Sequence, residues 1–315
     1  MTPTKRLSLI ASVLILLGLT ACEKPILDSE DAVMDADANV ILRFTQYEQI
    51  PFDDRVISLS YRKETESVTR SATDITELCS RLNIAIFDAD GTKVKTVAQK
   101  DGDASFGTVA LSLAAGTYQL VVIAHNGEGS ATISSTEKVT FPSNKVTDTF
   151  YYYGDLVVTD AKQSYDLTLT RAVAMFRLVL TDEEIPSSVA KFKFYYLGGS
   201  STFNPKNGYG CVNSKQTEFL PVPSRSSEGT TFDIYTLPHT EDDVLTKLTV
   251  TALDANDNII KEMDFVDVPV TRNQITRYTG NFFSSGGTDQ TSDGTFRLTA
   301  NPDWDGVNGF TFRAS

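Results

Sequence analysis

The chain has 315 residues, long enough for two domains of ordinary size, and 41% hydrophobic with 22% charged residues is a globular composition that excludes long disorder. Its formal charge of −13 leaves no electrostatic footprint for nucleic acid and no attraction to anionic lipid surfaces. Two histidines are too few for a three-histidine zinc centre, and no phosphate-binding glycine loop or Gly-x-Ser-x-Gly elbow occurs.

The first element is a secretory signal. Lys5 and Arg6 give a basic start, Leu7 to Leu19 an apolar run, and small residues lead into Cys22. That order is the pattern of a cleaved signal peptide over residues 1–21, and the run is shorter than the roughly 20 residues that span a bilayer. The ending Leu19-Thr20-Ala21-Cys22 resembles the lipobox of bacterial lipoproteins. On that resemblance Cys22 carries the lipid, and two or more acyl chains, at about 0.8 kcal/mol per buried methylene, anchor the protein stably. Without Lys5 and Arg6 the balance is 26 basic (28 minus 2) against 41 acidic residues, or −15, so lipid rather than charge must hold the protein to a membrane.

Residues 22–38 are acidic and aperiodic, with Asp28, Glu30, Asp31, Asp35 and Asp37, which predicts a solvated tether. From residue 39 the pattern is β. Val40 to Tyr47 is a first strand, and Val56 to Tyr61 alternates as a second. A polar stretch from Lys63 to Thr76 contains Arg70. Leu82, Ile84 and Ile86 alternate up to the turn Asp88-Ala-Asp-Gly91, a hairpin signature. Val109 to Leu113, a turn at Ala114-Ala-Gly116, and Thr117 to Ala124 predict a second hairpin whose latter strand is apolar enough for a sandwich core. Phe150 to Val158 and Tyr165 to Thr170 follow. A pause near Thr159 to Ser164 divides the fold into residues 39–163 and 164–315. In the second part, strands are expected at Lys191–Leu197, Phe232–Thr236, Leu245–Leu253, Ile259–Phe265 and Gln274–Phe283. Residues 284–294 are a Ser/Gly-rich linker, and Thr295, Phe296, Leu298 and Ala300 lie on a last strand beyond it. Short strands at regular spacing with almost no helical period predict an all-β chain of two β-sandwiches in tandem.

The inventory for chemistry is thin. His125 reads as a strand-end residue and His239 as a turn residue. Asp88-x-Asp90-Gly91 and Asp254-x-Asn256-x-Asn258 lack the glycine and glutamate of a calcium loop and read as turns whose Asp and Asn side chains bond their own backbone. Tyr151-Tyr152-Tyr153 and Trp304 suggest a sugar-stacking platform, but consecutive strand residues point to opposite faces, which favours packing. Cys79 and Cys211 could pair in an oxidising compartment or stand as two separate thiols. No catalytic residue, metal site or cofactor is assigned, and no enzymatic activity is expected.

Four stretches carry a family resemblance: Leu82-Asn-Ile-Ala-Ile-Phe-Asp-Ala-Asp-Gly91, Ala115-Gly-Thr-Tyr-Gln-Leu-Val-Val-Ile-Ala-His-Asn126, Leu169-Thr-Arg-Ala-Val-Ala-Met-Phe176 and Val268-Pro-Val-Thr-Arg-Asn-Gln-Ile-Thr-Arg-Tyr-Thr-Gly280. With the lipobox, they make the chain resemble a fimbrial subunit of the type V pili of Bacteroidota, most like the anchor-subunit group. The resemblance implies two transthyretin-like β-sandwich domains, a structural role, and an outer-membrane, surface-exposed lipoprotein belonging to the fimbrium. It also implies partners: other pilin subunits joined by β-strand exchange, membrane lipid through Cys22, and a host or bacterial surface ligand reached by the assembled fibre. In stalk and tip subunits of that family a trypsin-like protease cuts after an arginine and removes the first strand. Arg70 is the cleavage candidate here, whereas Arg43 lies protected inside a strand. Thr295 to Ala300 is the donor-strand candidate, with folding back on its own second domain as the alternative. A glycan-binding surface lipoprotein or adhesin is the alternative function.

Overall fold

The computed structural model describes residues 38–46, 73–224, 229–283 and 296–300. The described residues are almost all β, with one short α-helix, α1 (Ile75–Leu78), and a 3-10 turn at Pro142–Asn144. The first half contains β1 (Val40–Gln46), β2 (Thr73–Asp74), β3 (Arg81–Phe87), β4 (Lys93–Lys100), β5 (Thr108–Leu111), β6 (Gly116–His125), β7 (Thr132–Ser135), β8 (Lys138–Thr140), β9 (Thr149–Val158) and β10 (Gln163–Arg171). The second contains β11 (Ala174–Leu180), β12 (Lys191–Leu197), β13 (Thr202–Asn204), β14 (Tyr209–Gly210), β15 (Lys215–Pro221), β16 (Thr230–Thr236), β17 (Asp243–Leu253), β18 (Ile259–Val270), β19 (Ile275–Gly280) and β20 (Phe296–Ala300). The expected strand from Val56 to Tyr61 lies outside the described residues.

The two halves repeat one pairing scheme. In the first, β4-β3-β6-β9 are hydrogen-bonded neighbours, and β5-β1-β10 form a second row. In the second, β15-β12-β17-β18 and β16-β11-β19 reproduce both rows in the same chain order. In each half the opening strand runs parallel to the closing one, β1 with β10 and β11 with β19. Between the rows lies a core. Val40, Leu42, Phe44, Ile84, Val109, Leu120, Phe150 and Leu169 belong to the first, and Phe176, Phe192, Phe194, Val250, Phe265 and Tyr278 to the second.

Alternation explains the simple strands. In β12, Phe192, Phe194 and Tyr196 are buried while Lys191, Lys193 and Tyr195 are half-buried on the other face. β3 from Leu82 to Phe87 and β6 from Leu120 to Ala124 are mostly apolar because both faces are covered there. Leu82, Ile84, Leu120 and Val122 enter the first core. Ala85, Phe87, Val121 and Ile123 enter a third core with Ile133, Phe141, Phe203 and Leu237, which joins the halves. Above it, the hairpin β7–β8 from the first half pairs through β8 with the hairpin β13–β14 from the second.

One expectation is corrected. Val109–Leu113 and Thr117–Ala124 do not form a hairpin: β5 pairs with β1, whereas β6 pairs with β3 and β9. The turn before Gly116 carries the chain from one side of the core to the other, so Val109 and Leu111 face Leu120 and Val122 across it. Cys79 and Cys211 are not bonded to each other. Cys79 is buried in the first core beside α1, and Cys211 sits after β14 with its Sγ 3.6 Å from the Thr202 carbonyl. Residue 163 opens β10, which pairs with β1 and β9, so the chain passes from the first half to the second at Ala172-Val173, both fully buried.

Candidate functional site

The site is the slot that holds β1. Its sequence, Val40-Ile-Leu-Arg-Phe44, alternates, and Val40, Leu42 and Phe44 are 0%, 0% and 2% exposed. Each such burial stabilises by about 1.5–3 kcal/mol. The register is fixed, because a slip of one residue would drive Arg43 into the core and Phe44 out of it. On one side β1 pairs in parallel with β10, from Val40↔Gln163 to Gln46↔Leu169. On the other it pairs antiparallel with β5 over Val40–Arg43 and with β2 at Thr45 and Gln46. β1 is therefore an interior strand, with its backbone groups paired on both flanks.

Asn39 closes the entrance to the slot. Its backbone N–H donates to Leu111 O at 3.0 Å, and its carbonyl accepts from Gln163 N–H at 2.8 Å. Its side chain donates through Nδ2 to Leu113 O at 2.7 Å and accepts at Oδ1 from Leu113 N–H at 3.0 Å. The residue thus binds both neighbours of β1 where the N-terminal segment meets the fold. Nothing local in the sequence marks it, since Asn39 reads there as the end of an acidic spacer. Arg43 points outward from mid-strand, with Nη1 3.0 Å from Ser164 Oγ and 3.8 Å from Asp166 Oδ1.

The far end of β10 is held as firmly. Arg171 Nε and Nη2 donate to the two oxygens of Asp148 at 2.6 and 2.7 Å, Nη1 donates to Asn273 Oδ1 at 3.2 Å, and the guanidinium lies over Phe150. Asp148 and Phe150 lie in the first half and Asn273 in the second, so one side chain ties the end of β10 to both.

Other singled-out residues fall as follows. Cys22, Arg70, Thr295 and Trp304 lie outside the described residues. Phe296, Leu298 and Ala300 form β20, which pairs antiparallel with β19 opposite Gly280, Tyr278 and Thr276. That strand is folded back on its own second half. Tyr151 and Tyr153 pack against the third core and Tyr152 against the first, so the tyrosine run splits between two interiors and forms no flat platform. Asp88 Oδ1 accepts from the N–H groups of Asp90 and Thr92, and Asp254 Oδ1 from those of Asn256 and Asn258, so both loops are Asx turns. Among the described residues, no group of three His, Cys, Asp or Glu side chains is placed to hold a metal. His125 is 1% exposed, with Gly127 N–H donating to Nδ1. His239 binds Asp243 through Nδ1 and Val212 O through Nε2, fastening two loops together.

Comparison with known proteins gives the same direction. No curated protein matches the chain. Among solved structures, a candidate polysaccharide-binding protein of Bacteroides thetaiotaomicron is similar at 12% identity and a TM-score of 0.51, covering 88% of this chain and 98% of that one. A candidate adhesin of Bacteroides ovatus has 10% identity and a TM-score of 0.51, covering 82% and 93%. The fimbrial anchor protein Mfa2 of Porphyromonas gingivalis has 12% identity and a TM-score of 0.42, covering 88% and 99%. The first two of these likenesses bear on the fold alone. The family profile described as "Fimbrillin-A associated anchor proteins Mfa1 and Mfa2" matches residues 35–308, nearly the whole of the chain beyond its acidic start. The protein belongs to the fimbrillin-A associated anchor family, whose members are fimbrial subunits of the cell surface.

Proposed function

We propose that the protein is the lipid-anchored base subunit of a surface pilus, made of two transthyretin-like sandwiches, the first closing with β10 and the second opening with β11. It is exported behind the signal over residues 1–21 and held in the outer membrane by Cys22. It joins a neighbouring pilin by strand exchange and performs no catalysis. The supporting observation is the placement of β1, which fills its own slot with Val40, Leu42 and Phe44 fully inside and both flanks paired. A subunit that keeps this strand has no vacancy to offer and ends the polymer. One that loses it presents two unpaired edges and an apolar trench, a template for a strand from another chain. Arg70 lies in the segment between β1 and β2, so cutting there would separate β1 from everything after it. In the anchor role Arg70 stays uncut. The tail from Thr295 to Ala300 is the segment suited to donation, since the Ser/Gly-rich linker over 284–294 gives it reach.

The test is the mature N-terminus of the native protein, measured by mass spectrometry on outer-membrane and sheared-surface fractions. The expected species is a lipidated Cys22 continuous with β1, in the fraction that holds fibre bases. A start at Ser71 in assembled fibres would overturn the anchor role and make the chain a polymerising subunit.

A further inference from the structure

We infer that β1 and Asn39 form a mechanical clasp, through which tension arriving from the N-terminal tether enters the fold as shear. The inference rests on the proposed anchoring at Cys22 for the origin of the tension, but the clasp itself is a property of the folded chain.

Strand direction decides how a pulled ladder yields. Where two antiparallel neighbours carry the chain ends, both ends emerge on the same side, and pulling opens the ladder one bond at a time. β1 and β10 are parallel over Val40↔Gln163 to Gln46↔Leu169. Tension drags β1 toward its N-terminus and β10 toward its C-terminus, in opposite senses along one axis. The bonds of that ladder are loaded together and must yield together. The opening residues are held on both flanks, Val40–Arg43 being bonded to β5 as well as β10. Asn39 adds the two side-chain bonds to Leu113 and the two backbone bonds to Leu111 and Gln163 at the point where the tether joins.

The path beyond β10 offers no slack. Arg171 is pinned to Asp148, two buried residues follow, and the chain continues as β11. β11 is in turn parallel to β19, from Met175↔Ile275 to Leu180↔Gly280. A load taken from one end of the chain to the other therefore meets shear geometry twice, in series. The topological repeat places a clamp of the same kind in each half.

The test is single-molecule force spectroscopy on the mature chain, made soluble by Cys22→Ser, in two attachment geometries at one loading rate. In the first, handles sit at the chain ends. In the second, they sit at Glu241→Cys and Thr271→Cys in a Cys211→Ser background, beside the paired Asp243 and Val270, so that the antiparallel β17–β18 hairpin is opened from its ends. Forced unfolding is governed by the unfolding rate. β20 lies antiparallel to β19 and peels first at low force, and the end-to-end rupture that follows is expected at a higher force than that of the hairpin. Asn39→Ala, which removes two hydrogen bonds, is expected to speed end-to-end rupture about tenfold at fixed force and to leave the hairpin geometry unchanged. End-to-end rupture at or below the hairpin force would overturn the clasp, and that comparison needs no change at Asn39. An equal effect of Asn39→Ala in both geometries would also overturn it, by reducing the residue to a general stabiliser. Neither result depends on whether Cys22 is lipidated in the cell, which the N-terminal mass measurement decides separately.

Discussion

Arg171 and Asp148 face each other as two parallel hydrogen bonds, Nε to Oδ1 at 2.6 Å and Nη2 to Oδ2 at 2.7 Å, with the arginine side chain 1% exposed. Breaking one partner of such a pair leaves the other charge with no counterpart in a dry site. Arg171→Leu is expected to cost about 3–5 kcal/mol in urea unfolding. Arg171→Lys should recover little of that loss, because an ammonium cannot reproduce the fork or lie flat over Phe150. Near-complete rescue by lysine would show that charge alone matters at the junction.

His125 gives a pH dependence of definite sign. Burial, and next the charge of Arg81, lower its pKa from 6.5 to about 4. Gly127 N–H donates to Nδ1 at 2.9 Å, so the neutral ring carries its proton on Nε2, 3.3 Å from the Asn83 side-chain amide, and an added proton at Nδ1 meets a donor instead of an acceptor. Between pH 6.5 and 4 the unfolded chain binds a proton that the folded chain refuses, so stability rises with pH across that window. The contribution is full above about pH 6.5 and is lost as pH falls toward 4, a difference of about 3 kcal/mol. Urea midpoints at pH 7.5 and 4.5 should therefore move less in His125→Gln than in the natural chain. Equal movement would place the proton-sensitive group elsewhere.

Glu218 has the opposite sense. Its side chain is 8% exposed, and burial raises its pKa against the lowering effects of Lys145 and the Tyr196 hydroxyl. A carboxyl with a raised folded-state pKa weakens the fold as pH climbs past that pKa. Glu218→Gln is expected to raise the urea midpoint at pH 7.5 and to change it little at pH 4. A drop at pH 7.5 would mean that the Lys145 contact, at 3.9 Å, outweighs desolvation.

The slot itself can be probed by contrast. Phe44→Ala should cost about 3–5 kcal/mol, because a buried aromatic is deleted from a strand held on both flanks. Val266→Thr, at a position 59% exposed on β18, should stay within about 0.5 kcal/mol. Thermal or urea unfolding of the two variants side by side checks both. A small loss at Phe44 would mean that β1 contributes little to the fold and is poorly suited to sealing the slot.

Much of the strand set was legible because alternation is local. Phe192, Phe194 and Tyr196 announce β12 from end to end, and Asp88-Ala-Asp-Gly91 announces its hairpin. Partners were not legible, because alternation says which face of a strand is inside without saying what lies beside it. Val109 and Leu111 look like half of a hairpin with Thr117 to Ala124, yet they serve β1, some seventy residues upstream. The parallel pairing of Val40 with Gln163 has no turn between the strands to betray it. Asn39 was hidden for a related reason: its partners, Leu111, Leu113 and Gln163, come together only after folding. The short hairpin Thr202–Gly210 was missed because three-residue and two-residue strands are too brief to show a period.

The antiparallel sheet that joins β8 to β13 also dictates an order of events. Val139 finds its partner Phe203 only when the chain has been extended by a further sixty-odd residues. Until then Ala85, Phe87, Val121 and Ile123 lack the cover that Phe203 and Leu237 give them. The first half cannot seal its outer face alone, so a chain interrupted near residue 172 would carry a sticky apolar flank and seek another molecule. Completion of the second half is what renders the first one safe from aggregation.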